Sequence, residues 1–100
     1  MGAHVICQEA SLEAFDGTVL QSTNIIGSFF PEKKRRILLC AHWDSRPFAD
    51  NDINLANRRK AIIGANDGAS GVGVIMELAR QLGLKDASMG VDLILFDLED

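Results

Sequence analysis

Two apolar runs decide how this chain folds: Val91-Asp92-Leu93-Ile94-Leu95-Phe96-Asp97 and the earlier Arg36-Ile37-Leu38-Leu39-Cys40-Ala41. Each is short and bounded by charge, the pattern of a strand buried on both faces. Between them, residues 67–83 read as a helix. Val72, Ile75, Met76, Ala79 and Leu82 recur at three- and four-residue spacing. Asp67 and Ser70 are candidate N-caps and Gly83 a C-cap, while Gly73 would be costly inside the helix unless another backbone packs against it. Strand, loop, helix, strand predicts a βαβ unit with parallel strands and a right-handed crossover. The lengths agree, since about fifteen helical residues span ~22 Å and about seven strand residues ~23 Å.

Upstream, Val5, Ile6, Val19, Leu20, Ile25, Ile26, Phe29 and Phe30 sit among Thr, Ser and Gly, with Asp16-Gly17 as a strong hairpin signal. Lys33-Lys34-Arg35-Arg36 after Pro31 reads as a solvated turn entering the next strand. From Trp43 to Ile63 the chain is polar and lacks periodicity, so this stretch is either disordered or a functional surface loop. There is no internal repeat.

Composition narrows the function. With 47% apolar and 24% charged residues the chain is globular. Its 14 acidic against 10 basic residues, a net charge of −4 and a pI near 5.0 argue against a general nucleic-acid binder. No apolar run approaches the ~20 residues of a membrane span, and MGAHVICQEA lacks the pattern of a secretory signal. Cys7 and Cys40 form no C-x-x-C motif and read as buried thiols acting as small hydrophobes.

The predicted topology gathers three polar clusters at one edge. His42 and Asp44 follow the first buried strand, Asp67 opens the crossover helix, and Asp97, Glu99 and Asp100 end the second strand. This is the rim outside the carboxyl ends of parallel strands, where open α/β sheets bind ligands. Two carboxylates ~4 Å apart repel by about 4 kcal/mol at an effective dielectric near 20. Asp44, Asp67, Glu99 and Asp100 together therefore call for a cation, a shared proton or a helix N-terminus. Histidine plus carboxylates without thiolates suits Zn²⁺ in a catalytic site. Taken singly, each piece has a plainer reading: H-x-D as a chance pair, Asp67 as an N-cap alone, and Glu99-Asp100 as a common surface pair. Their convergence gives the functional reading its weight. The glycine-rich loop 64–71 has neither G-x-G-x-x-G spacing nor a following Lys, so a nucleotide site is a poor match.

AHWDSRPFADND, GANDGASGVGVIMELAR and VDLILFDLED, in that order from about Asn24 to Asp100, resemble the zinc-dependent aminopeptidase and glutaminyl cyclase superfamily, and most of all its bacterial glutaminyl-peptide cyclotransferases. The resemblance implies an α/β fold: a three-layer α/β/α sandwich on a mixed sheet, of which residues 1–100 would be the N-terminal, truncated part of one catalytic domain. It implies Asp67 and Asp100 as metal ligands, Glu99 as general acid/base, and His42 as a ligand of a second metal in two-zinc aminopeptidases but not in single-zinc cyclases. Asp44 and Trp43 would be supporting residues, with Trp43 and Phe48 either walling the pocket or, for Trp43, joining the core. The implied cofactor is one Zn²⁺ for a cyclase or two for an aminopeptidase. The implied substrate is a peptide or protein N-terminus, glutamine becoming pyroglutamate with loss of ammonia, and the implied setting is extracytoplasmic. A metal-dependent aminopeptidase is the first alternative, and a non-catalytic relative the second. The isolated chain, lacking the later histidine ligand, is expected to be inactive.

Overall fold

The computed structural model describes residues 2–100. Four strands form one mixed sheet: β1 (His4–Glu13), β2 (Val19–Phe29), β3 (Arg36–His42) and β4 (Gly90–Phe96), in the spatial order β1-β2-β4-β3. β3 and β4 are parallel from Arg36↔Gly90 to His42↔Phe96. The helix α1 (Gly71–Leu82) crosses between them, as the βαβ reading requires. At twelve residues it spans ~18 Å, shorter than expected because Ala65–Ser70 forms a wider, separate turn with Asp67 in extended geometry.

β1 and β2 form the expected hairpin, with Gly17 at φ 87° and the Asp16 carboxylate accepting from the Thr18 N–H at 3.0 Å. Only Ile25–Phe29 of β2 pairs with β4, so the distal half of the hairpin projects from the body and the molecule measures 51 Å along its longest axis.

The core is one-sided. Phe29, Phe30, Val91 and Leu93 bury the sheet face on which Ile75 of α1 sits, with Leu39, Ala41, Ala79, Leu82 and Leu95 around them. Gly71 lets the helix approach β3 closely, since a Cβ there would stand 3.1 Å from that of Ala41. Gly73 has no such role: a Cβ would meet nothing within 4 Å. β3 differs from its expected double burial. It lies at the sheet edge, and Leu38 on the face away from α1 is 57% exposed. Cys7 and Cys40 are likewise exposed rather than buried, because they sit on strands with no neighbouring layer over their side chains.

The basic run is also less solvated than expected at its last residue. Arg36 donates to both Asp92 carboxylate oxygens at 2.9 and 2.8 Å, and to the carbonyls of Phe29 and Phe30 at 2.9 and 2.7 Å. It thereby holds the bend where Phe30 takes a left-handed φ of 53°. Gly90 leaves the space through which that guanidinium passes.

Candidate functional site

Parallel pairing brings the ends of β3 and β4 side by side, and the Trp43 N–H extends the ladder by donating to the Phe96 carbonyl at 2.8 Å. The chain leaving β4 is then turned back. Asp97 accepts from the Thr23 N–H at 2.9 Å and donates its own N–H to Asn24, so it braces β2 against β4 rather than joining the acidic cluster. Its second carboxylate oxygen accepts from the N–H of Leu98, which adopts φ 56°. This reversal sends Glu99 and Asp100 toward the end of β3.

His42 is the hub. Its Nε2 lies 2.8 Å from Asp67 Oδ1, and its Nδ1 lies 3.1 Å from the Asp44 carbonyl, 3.3 Å from Asp44 Oδ1 and 3.6 Å from Glu99 Oε2. Both ring nitrogens therefore face oxygens, an arrangement that suits the doubly protonated imidazolium. Burial opposes that charge and is the largest single influence. The Glu99 carboxylate, with hydrogen bonds to Asp44 and Asp67, outweighs it and raises the His42 pKa above its ordinary 6.5.

The close approach of Asp67 depends on two glycines. Gly64 turns the loop at φ 66°. Gly68 lies directly on His42, where a Cβ would come within 2.6 Å of both the ring and the carbonyl oxygen. Neither Asp67 nor Ser70 caps a helix by its side chain, because Asp67 is spent on His42 and the Ser70 hydroxyl on the Asn66 carbonyl. Gly83 does end α1, in right-handed geometry, its N–H donating to Ala79.

Asp100 joins the same network. Its N–H donates to Asp44 Oδ2 at 3.1 Å, and its Oδ1 lies 3.3 Å from Arg46 Nε. A continuous chain of contacts thus runs Asp67–His42–Asp44–Asp100–Arg46, and all the predicted ligands lie at one edge. With Glu99 beside His42, the charges facing the carboxylates of Asp44, Asp67, Glu99 and Asp100 within this network are His42 and Arg46. Arg46 escaped the sequence reading, although its position two residues beyond Asp44 and four beyond His42 places all three on one face of an extended segment. Gly68 was missed too, since its importance lies in a contact twenty-six residues back along the chain.

The donor set suits a zinc ion in kind: one imidazole, several carboxylates and no thiolate. Among the described residues, however, no three of these groups converge as a complete shell. Asp67 leans on His42 and Asp100 on Arg46.

The long polar segment is ordered into a surface loop. Ala49 donates to Lys60 at 2.8 Å, and a single 3₁₀ turn at Leu55–Asn57 is capped by the Asn54 side chain. Beside the hub a cleft of about 380 Å³ opens between Trp43, Asp44, Ile63, Gly68, Val72 and Met76. Trp43 is fixed there by its indole N–H, which donates to the Thr23 carbonyl at 3.0 Å. It walls the cleft rather than filling the core, whereas Phe48 does not line it. No helix among the described residues is long and apolar enough to cross a membrane.

Known structures share this fold. The glutaminyl cyclase of Tannerella forsythia superposes with a TM-score of 0.96 at 56% identity, over 99% of this chain and 34% of that one. A Zn-dependent exopeptidase from Parabacteroides distasonis gives 0.95 at 55% identity over the same shares. The Bacteroides thetaiotaomicron glutaminyl cyclase bound to N-acetylhistamine gives 0.95 at 54%, again over 99% and 34%. This chain therefore spans about a third of the length of the structures it matches. The model of peptidase family M28 matches residues 24–100, the span that carries His42, the Asp67 loop and the Glu99-Asp100 turn. By that match and by the identity of its structural relatives, the chain belongs to peptidase family M28.

Proposed function

We propose that this chain forms part of the catalytic domain of a zinc-dependent glutaminyl-peptide cyclotransferase, contributing the acidic sheet edge to an active site completed by residues from a longer polypeptide. Coverage of about a third of each similar chain supports the incomplete shell. Asp67 and Asp100 would hold the metal, with His42 beside them. When bound, the ion supplies Lewis-acid polarisation of the substrate's γ-carboxamide.

The protein's own residues do the rest. Glu99, exposed and 3.6 Å from His42, takes a proton from the substrate's α-amine as that nitrogen forms a bond to the carbonyl carbon of the γ-carboxamide. The same carboxylic acid returns the proton to the departing amide nitrogen, which leaves as ammonia, and a pyroglutamyl N-terminus remains. His42 keeps the Glu99 carboxylate oriented through its charge. Trp43, Ile63 and Met76 offer the adjoining apolar wall against which a peptide side chain can rest.

What supports the cyclase over a two-zinc aminopeptidase is the similarity, at 56% and 54% identity, to structures of glutaminyl cyclases. The exopeptidase relative at 55% identity keeps the alternative in view. Incubating the complete protein with a glutamine-initiated peptide separates them. Ammonia and a pyroglutamyl peptide, with one zinc per chain, are expected. A freed N-terminal amino acid with two zincs per chain would replace this reading by the aminopeptidase.

A further inference from the structure

We propose that Arg46 is a positioning residue for Asp100, fixing this carboxylate in the orientation from which it serves the metal; the inference rests on the assignment of Asp100 to the metal above. Arg46 lies on the surface loop yet reaches back to the site, its Nε 3.3 Å from Asp100 Oδ1. Its Nη1 is 3.5 Å from Asp50 Oδ1, which ties the guanidinium to the loop that carries it. The other side of Asp100 is held by its backbone N–H, which donates to Asp44 Oδ2 at 3.1 Å.

Asp100 is thus gripped at two points, the main chain by Asp44 and one carboxylate oxygen by Arg46. The second oxygen makes no part of that grip. Asp44 in turn faces His42 Nδ1 through its other oxygen, so the brace is continuous with the hub. Of the carboxylates assigned to the metal, Asp67 is oriented by His42 and Asp100 by Arg46. Carboxylates that ligate metals depend on such outer partners, and losing one typically costs ten- to a hundredfold in affinity or activity. A guanidinium suits the task because its charge never titrates and its donors lie in a rigid plane.

The test uses the complete protein and Zn²⁺ alone, titrated against a chromophoric chelator, beside glutaminyl-peptide kinetics. Arg46→Ala is expected to weaken zinc binding about tenfold or more and Arg46→Lys to recover most of it. Arg46→Gln, which keeps most of the side-chain stem, should behave like the alanine variant and decides the matter if the latter fails to melt cooperatively. Unchanged zinc affinity in the alanine and glutamine variants would overturn the proposal. Tighter binding would do so as well, by showing that Arg46 competes with the ion for Asp100. If zinc binding responds as expected while the unaltered protein leaves glutaminyl peptides intact, the assignment of Arg46 stands and only the cyclase reading falls.

Discussion

Adding one methyl group at Gly68 is the sharpest perturbation of this site. A Cβ there would stand 2.6 Å from His42 Cε1, 2.6 Å from the His42 carbonyl oxygen and 2.7 Å from Nε2. Non-bonded carbon contacts rest near 3.5 Å, so the overlap is close to ~1 Å on atoms of which one is backbone in β3. Overpacking of this kind costs about 1–3 kcal/mol. The reduced freedom of the unfolded chain returns roughly 0.4–1 kcal/mol, leaving Gly68→Ala about 1–2 kcal/mol less stable. Gly73→Ala is the control. Its Cβ would meet nothing within 4 Å, so the helix should gain about 0.5–1 kcal/mol. The two variants should therefore differ by about 1.5–3 kcal/mol in urea denaturation. Gly68→Ala should also push Asp67 away from His42 and move the imidazole pKa down, as read by NMR titration. Equal stability of the two variants, with His42 titrating unchanged, would refute the close-packing account of this loop.

Other consequences can be measured in parallel. Hydrogen bonding to Arg36 holds the Asp92 carboxyl below its ordinary 3.8, so this pair stabilises the fold above that value and loses its contribution as pH falls through the lower, folded pKa. Asp92→Asn should flatten the acid side of the stability profile, and a double-mutant cycle with Arg36→Met should show coupling between them. For His42 the sign is reversed. Burial works against its charge, but Glu99 and the bonds to Asp44 and Asp67 raise its pKa, so its contribution is complete below 6.5 and fades as pH rises through the folded value. Glu99→Gln should lower the His42 pKa in an NMR titration. The 100-residue chain by itself should release no ammonia from a glutaminyl peptide, since no donor set among the described residues closes a metal shell; measurable turnover would contradict that.

Much of the site was legible because it follows from strand direction. Once Ile37–Ala41 and Val91–Phe96 are parallel strands joined by a helix, His42, Asp67 and Glu99 have nowhere to lie but the same rim. The residues that escaped are those whose roles depend on distant contacts. Asp97 looked like one more acidic residue at the strand exit, yet it is committed to Thr23 and Asn24 some seventy positions earlier. Arg46 looked like loop polarity, and Arg36 like the end of a solvated basic run, but each meets a carboxylate more than fifty residues away. Burial of β3 on both faces was misjudged for a related reason. An apolar run reports that a strand can be covered, not that a second layer lies over it.

By itself the sequence determined the hairpin, the parallel βαβ unit and the edge where the acidic residues gather. These depend on local periodicity, turn chemistry and chain direction, all of which act between neighbours. Only the tertiary structure decided the pairing within that edge: His42 between Asp67 and Glu99, Asp100 between Asp44 and Arg46, and Gly68 as the contact that lets Asp67 in. Those choices rest on distances of a few ångströms between segments tens of residues apart, and no spacing along the chain encodes them.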